Sequence, residues 1–504
     1  MVEGRTRRFL QNSGATMVQQ AVTMIAGFIV PKIMIEVYGS EINGMTSSIG
    51  QFIAYFTLVE AGISGAAVYS LYRPLAERDY HAINRILVAA RNFYWKSGYL
   101  FVGLTCFLAA VYPLVVVTDS LPSWEVGCLV LIMGVSGALD FFTLAKYRAL
   151  LTADQKTYVI SLASMSAVIV NTVVIAVLSM SAVDVVLVRF IALSSVLLRT
   201  FLLWYYVRRH YRYLDYSVTP DNHALDKRWD VLFLNVLAPV QKGTPIVLTT
   251  VLSTLKMVSA YAVYNLVMSG INALLGIFIS GLSASFGDVI ARREQDKLRR
   301  AYDEFEACYY GLIAVVYGVT LATITPFVCI YTRNATDMDY ELPWLGFMLA
   351  FNGLLYNLKT PQGMMVISAG LYKETKWQAF TQTMIIVVGG IVGGIFWGLP
   401  GILMGEILSN VYRDIDLGYY IPHHLIGSSP LKSYRRMLLC CLMVAVIYVP
   451  TLFIGWRCES FVEWGLYLAV LIVYALFVVG GGMLAFQRSS LLSVLRRFGY
   501  KRGE

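Results

Sequence analysis

Charge is scarce in this chain. Asp, Glu, Lys and Arg make up 14% of its 504 residues, against roughly 25% in soluble globular proteins. No hydrophilic stretch is long enough to fold as a soluble domain. Histidine is rarer still, with five residues (His81, His210, His223, His423 and His424) in polar connectors. The adjacent His423 and His424 read as solvated loop, and no metal site is expected. The seven cysteines form no CxxC pair and most lie in apolar runs, so they read as small buried hydrophobes, not ligands or disulfide partners. Signatures of chemistry are missing as well. There is no GxxxxGK(S/T) phosphate loop through which the chain could draw on ATP, no HExxH and no GxSxG. No large outer loop carries the paired carboxylates of a membrane glycosyltransferase or polymerase. The expectation is therefore a non-enzyme without cofactors. An intramembrane glycosyl- or acyl-transferring enzyme remains the rival from another class.

What the chain has in abundance is apolar sequence, 58% of residues, with a mean hydropathy of +0.64. A helix needs about 20 mostly apolar residues to cross a bilayer. Fourteen stretches qualify as spans: 15–38, 42–71, 86–116, 126–151, 158–180, 184–207, 231–254, 257–291, 307–331, 343–369, 377–397, 399–420, 437–456 and 464–486. Spans two and eight are long and interrupted by polar residues. Arg5, Arg7 and Arg8 resemble the start of a signal peptide, but the apolar run behind them is long and closes without an A-x-A site, so it reads as an uncleaved first span.

Charge placement orients these spans. The net charge is +9, which in a soluble protein would raise nucleic acid as a partner. In a membrane protein it points to basic cytoplasmic loops, and no nucleic-acid partner is expected. With the N-terminus placed inside, 27 of the 40 Lys and Arg fall in cytoplasmic segments. Only Lys256, Arg333 and Arg457 fall outside, and ten lie within spans or at their ends. This asymmetry predicts a multi-pass protein of the cytoplasmic (inner) membrane with both termini cytoplasmic. The ten are Lys32, Arg91, Lys96, Lys146, Arg148, Arg189, Arg199, Lys242, Lys359 and Arg413. Several can snorkel to an interface, yet intramembrane charge is costly and by default points to function.

The chain repeats itself. Gly62-Ile63-Ser64-Gly65-Ala66 closes span two, and Gly281-Leu282-Ser283-Ala284-Ser285 closes span eight, 219 residues later. Each is followed by a charged connector. Six spans are an even number, so both halves enter from the same side and the repeats are parallel. The expected fold is an all-α polytopic membrane protein with two parallel six-helix repeats forming two lobes around a central cleft. The domains would be 1–215, 216–430, and 431–504 with two extra helices and a basic tail.

Candidate binding residues follow from polar stripes. Asn12, Thr16, Gln19, Thr23 and Gly27 share one face of span one. Asn235, Pro239, Lys242 and Thr249 share one face of span seven, and Tyr261, Asn265, Ser269, Asn272, Gly276 and Ser283 lie in register in span eight. Such faces meet either another helix or a watery cavity, not lipid. Glu60, Asp140 and Glu406 place carboxylates inside spans, suited to relay protons, bind a cation or form an ion pair. Glu406 is the nearest to an interface.

Several segments resemble bacterial polysaccharide flippases, the Wzx-type members of the multidrug/oligosaccharidyl-lipid/polysaccharide exporter superfamily. Val30-Pro31-Lys32-Ile33-Met34-Ile35-Glu36-Val37-Tyr38-Gly39 with Ile42-Asn43-Gly44 is similar to their first-span ending. Arg148-Ala149-Leu150-Leu151-Thr152-Ala153-Asp154-Gln155-Lys156 is similar to the end of their fourth. Ser259-Ala260-Tyr261-Ala262-Val263-Tyr264-Asn265 and Ser283-Ala284-Ser285-Phe286-Gly287 are similar to their eighth. Where relatives often carry an acidic residue early in span seven, this chain reads Gln241-Lys242-Gly243-Thr244-Pro245.

The resemblance implies flipping of undecaprenyl-diphosphate-linked oligosaccharide from the inner to the outer leaflet by alternating access during polysaccharide biosynthesis. It implies membrane lipids, a coupling H+ or Na+, and a polysaccharide polymerase and glycosyltransferases as partners. A drug/cation antiporter of the same superfamily is the alternative within transport. The expected substrate cleft comprises Asn12, Gln19, Thr23, Gln51, Glu60, Lys242, Asn265 and Asn272, with Lys242 as its principal cation and Glu60 as the partner of Lys242 in the empty site. Asp140 and Arg199 each lie about fifteen residues inward from the outer end of their spans, hence at a common depth, and are expected to form an ion pair or a proton site.

Overall fold

A computed structural model describes residues 2–116, 118–221, 228–455 and 458–488. Among them every regular element is helical. In a bilayer this is the economical solution, because a helix satisfies its own backbone hydrogen bonds where no water can. The contacts divide the chain into two compact units. One is Met1–Ser259 with Ala335–Asp337, and the other is Ala260–Asn334 with Met338–Glu504.

The first unit contains α1 (Val2–Tyr38), α2 (Ser40–Phe56), a 3-10 turn (Thr57–Glu60), α3 (Ala61–Glu77) and α4 (Tyr80–Val115). It continues with α5 (Ser123–Leu139), a π-helical turn (Asp140–Leu144), α6 (Ala145–Ala153), α7 (Thr157–Met180), α8 (Val185–His210) and α9 (Arg228–Leu252). α1 packs on α7, α7 on α8, α4 on α5, and α9 on α2 and α3. One buried cluster gathers Met34, Met45, Ile49, Phe101, Leu129 and Val188. A second gathers Leu71, Ile83, Leu87, Leu150, Leu151 and Leu203. Small residues permit close approach. A Cβ on Gly44 would lie 1.9 Å from the Leu255 carbonyl oxygen, and Asn43 beside it donates to Ser259 Oγ at 2.7 Å. This contact gives a packing reason for the Ile42-Asn43-Gly44 segment.

The second unit takes up α10 (Leu255–Ala291) beyond its first turn, then α11 (Gln295–Tyr331), α12 (Pro343–Leu358), α13 (Thr360–Ala369), α14 (Tyr372–Trp397) and α15 (Leu399–Ile421). A π-helical turn (Pro422–Ile426), α16 (Pro430–Ile454) and α17 (Phe461–Phe486) complete it. α14 and α15 touch backbone to backbone along a glycine seam, where a Cβ on Gly401 would sit 2.3 Å from Gly393 C and 1.9 Å from Gly393 O. Small residues serve this purpose where no hydrophobic effect drives helices together. α16 and α17 pack on α11.

Ten helices among the described residues are individually long and apolar enough to cross a membrane, and the bent pair Ser40–Glu60 with Ser64–Glu77 makes eleven. Helices exist at the other three expected spans as well. Span seven is α9, Arg228–Leu252, 25 residues long, and its Val236–Leu252 part is apolar. Span ten breaks at Lys359 between α12 and α13. Span twelve carries Glu406, Arg413, Asp414 and Asp416. Two smaller expectations are corrected. His423 and His424 are exposed, as expected, but belong to the π-helical turn and not to a loop, and they stack on Tyr419 and Tyr420. Of the cysteines, all unpaired, Cys440 is buried and Cys106 is exposed.

Candidate functional site

Span four is interrupted where its charges lie. α5 gives way at Asp140 to a single π-helical turn before α6 carries Arg148. Such turns widen the helix and recur at functional sites. Asp140 receives an ion pair from Arg199 of α8. Arg148 lies 3.7 Å from the other oxygen of Asp140 and 3.0 Å from Glu60 Oε1, at the end of the 3-10 turn in span two. Two carboxylates and two guanidiniums thus alternate as Glu60–Arg148–Asp140–Arg199. Glu60 is 9% exposed, so its charge depends on Arg148. The expected pairing of Glu60 with Lys242 is not formed, because Arg148 on α6 takes Glu60 instead.

Lys242 is exposed on α9 and has no ion-pair partner among the described residues. Its neighbour Gly243 is the point where α2 closes on α9: a Cβ there would lie 2.1 Å from Gln51 Nε2 and 2.6 Å from the Tyr55 ring. Tyr55 also donates to the Val240 carbonyl at 3.0 Å. Gln51 and Lys242 are therefore brought into one neighbourhood, with Tyr55 as an addition that the stripe of polar residues did not single out. Two further cations of this unit rest on aromatic rings. Arg91 lies 5.5 Å from the centroids of Trp95 and Tyr216, and Lys146 lies 4.8 Å from Tyr216 and 5.0 Å from Tyr147. Among the described residues neither has a carboxylate partner.

Part of the polar stripe in span one is occupied by packing. Asn12 donates to the Gln155 carbonyl at 2.9 Å and accepts from the Tyr158 amide at 3.0 Å, bracketing the turn after α6, and Thr16 meets Ser161 of α7 at 3.3 Å. In the same connector Tyr211 donates to Asp154 at 2.6 Å, beside the Lys156–Asp154 ion pair at 2.8 Å. Burial, with the Asp154 carboxylate adding to it, pushes the Tyr211 phenol well above its ordinary pKa. Gln19 is half-buried and Thr23 exposed further along α1.

Asn265 and Asn272 lie in the second unit. Asn265 is half-buried. Asn272 accepts from Asn357 at 2.9 Å and from Tyr317 at 3.3 Å, which ties α10 to α11 and α12. The same unit holds a polar cluster that lies outside the polar stripes. Lys359, at the break of span ten, is buried and donates to Asn410 of α15, which donates in turn to Asn352 of α12 at 2.7 Å. Glu406, Asn410 and Asp414 recur every fourth residue on α15, one helical face. Both Asp414 oxygens and one Glu406 oxygen are buried without a hydrogen-bond partner. The i, i+4, i+8 spacing was visible in the sequence. Among the described residues no group of three or more His, Cys, Asp or Glu could hold a metal ion.

No protein-family model and no curated protein matches the chain. Solved structures do match. An inward-facing multidrug-resistance MATE transporter of the MOP superfamily superposes with a TM-score of 0.64 at 14% identity, covering 86% of this chain and 99% of that one. The fold is that of the MATE transporters. An outward-facing MATE structure matches with a TM-score of 0.55 at 15% identity, covering 86% of this chain and 96% of its own. A MOP superfamily transporter from Pyrococcus furiosus matches at 0.54 and 14%, with coverage of 86% and 96%; its binding pocket is described as reversed in polarity, suggesting a different function. The MATE fold accounts for the two-lobed, all-helical architecture and for a multi-pass membrane protein. At these identities it carries no substrate.

Proposed function

We propose that the protein is an alternating-access transporter for an anionic, sugar-bearing lipid, moving undecaprenyl-diphosphate-linked oligosaccharide from the cytoplasmic to the outer leaflet. The observation that carries this reading is the charge balance of the first unit. Its two membrane-embedded carboxylates, Glu60 and Asp140, are both taken by Arg148 and Arg199. Lys242, Arg91 and Lys146 are left to meet an anion. A diphosphate cannot enter hydrocarbon unaided, whereas a polyprenyl tail stays in lipid; a polar, cationic path supplies what the headgroup lacks. A MATE fold solved in inward- and outward-facing forms offers a way to present such a path to each side in turn. The MOP transporter with a pocket of reverse polarity is a precedent for one fold serving cargoes of different charge.

Drug or cation antiport, the alternative within transport, would require an unpaired carboxylate where this unit has unpaired cations; two of the neighbours are multidrug-resistance transporters. The deciding experiment reconstitutes the protein in liposomes with a fluorescent polyprenyl-diphosphate saccharide and reads its transbilayer movement with a membrane-impermeant quencher. Faster movement than in protein-free vesicles is expected. Unchanged movement, together with ion-gradient-driven uptake of a cationic dye, would overturn the reading in favour of antiport.

A further inference from the structure

The second unit carries a groove between α16 and α17 with a volume of about 890 Å³. This lies within the roughly 300–1,000 Å³ range of small-molecule sites. One end is polar: Lys432, Arg435 and Gln487 border it, with Ser429 at the helix N-terminus. The remainder is apolar and includes Leu438, Leu442 and Val446 on α16, which are 62%, 54% and 51% exposed. On α16 the residues Leu431, Arg435, Leu438, Leu442 and Val446 form one stripe, so a single basic side chain interrupts an otherwise greasy face near its start.

Three observations define the polar end. First, α16 begins there with Ser429 in the N-cap position and Pro430 as its first residue. The Ser429 side chain makes no capping hydrogen bond, Pro430 has no amide proton and the Lys432 amide turns back to the Ser429 carbonyl at 3.1 Å, so the helix start offers an anion the positive end of its dipole. Second, the bordering cations are not equivalent. Lys432 is tied to Asp303 at 2.6 Å and Arg436 to Glu306 at 2.6 Å. Arg435 is exposed and has no ion pair among the described residues. Third, Gln487 is only 8% exposed, and its amide oxygen is buried without a hydrogen-bond partner. An anion at the helix start answers the first two observations. The third calls for a donor close to that anion.

We propose that this groove binds a phospholipid with a hydroxyl-bearing anionic headgroup, of the phosphatidylglycerol class. The phosphodiester lies at the α16 N-terminus against Arg435, a headgroup hydroxyl donates to Gln487, and the acyl chains run along Leu438, Leu442 and Val446. The site is distinct from the cation-rich region of the first unit and does not depend on the cargo assigned there. Its charge suits the anionic lipids of a cytoplasmic leaflet, where one basic side chain near the surface contributes about 1 kcal/mol, or about fivefold in affinity.

The test uses the full chain in phosphatidylcholine nanodiscs titrated with phosphatidylglycerol, with native mass spectrometry to count retained lipid and thermal unfolding to report stabilisation. Wild type is expected to retain one phosphatidylglycerol and to gain stability over phosphatidylcholine alone. R435A is expected to weaken retention about fivefold, and Q487L to reduce the preference for phosphatidylglycerol over phosphatidic acid. R435K, which keeps the charge, is expected to retain most of the binding. Equal response to phosphatidylcholine and phosphatidylglycerol, or retention unchanged in both R435A and Q487L, overturns the proposal. So does displacement of phosphatidylglycerol by equimolar polyprenyl phosphate, which would make the groove part of the cargo path.

Discussion

Arg148 holds Glu60 at 3.0 Å, reaching from the end of span four to the 3-10 turn of span two. Through its other nitrogen it approaches Asp140 at 3.7 Å, and Arg199 completes the alternation. Removing one member strands a partly buried charge, which typically costs about 3–5 kcal/mol. Arg148→Ala is therefore expected to lower thermal stability and protein level, with Arg199→Ala doing the same. Exchanging the charges of Asp140 and Arg199 in a double variant would set an arginine at 140 beside Arg148, so recovery is expected only when both charges are removed together, as in Asp140→Asn with Arg199→Gln, read by fluorescence-detected size exclusion. If Asp140→Asn instead keeps a normal protein level and loses transport, Asp140 is a proton site and the structural account of the pair fails.

Lys242 offers the opposite case. It is exposed and has no ion pair to break, so Lys242→Ala should leave abundance and unfolding temperature within the scatter of ordinary surface changes, about 0.5 kcal/mol. Lipid-linked saccharide movement in liposomes is expected to fall to background in that variant, and Lys242→Arg to keep part of it. Normal movement in Lys242→Ala would exclude Lys242 from the cargo path.

The Lys359 cluster predicts a rescue. Lys359→Met removes the buried donor to Asn410 and the lysine charge close to buried Asp414, and is expected to destabilise the second unit by about 1–3 kcal/mol. Adding Asp414→Asn removes the stranded charge, so the double variant should unfold at a higher temperature than Lys359→Met alone. Additive losses in the two single changes would show that the residues do not interact.

The glycine seam of α14 and α15 predicts a clash. Gly401→Ala introduces a Cβ 1.9 Å from the Gly393 carbonyl oxygen, and backbone must move to admit it. Overpacking of this kind costs about 1–3 kcal/mol, and Gly401→Val should cost more. Gly480→Ala on α17, where a Cβ meets nothing within 4 Å, serves as the matched control and should be neutral in thermal unfolding.

Orientation is open to direct measurement. Reporter fusions after Lys156, Asp221 and Lys432 are expected to report the cytoplasm, and fusions after Ser120 and Asp337 the outside. A single reversed reading would overturn the order of spans.

The resemblance of the halves reached into detail that hydropathy alone could not supply. Arg199 stands in α8 at the same distance from the helix start as Arg413 does in α15, and spans four and ten both break near their charged residues, at 140–144 and at Lys359. The chemistry has diverged all the same. In the first unit the break carries an acid answered by an arginine on α8. In the second it carries a lysine answered by Asn410, with acids on α15.

The sequence by itself determined the class of molecule. Each apolar residue adds independently to the free energy of leaving water, so long apolar runs declare themselves as spanning helices without knowledge of their neighbours. The common depth of Asp140 and Arg199 was legible for a related reason, since rise along a helix is fixed. What each polar face meets was decided only by the tertiary structure. A stripe says that one side of a helix is polar, but helix rotation and approach determine whether Asn12 faces a cavity or the Gln155 turn. They likewise determine whether Asn272 lines a cleft or joins Asn357, and whether Glu60 receives Lys242 or Arg148. Electrostatic attraction falls with distance and depends on the dielectric around the pair, and no one-dimensional pattern contains those two quantities.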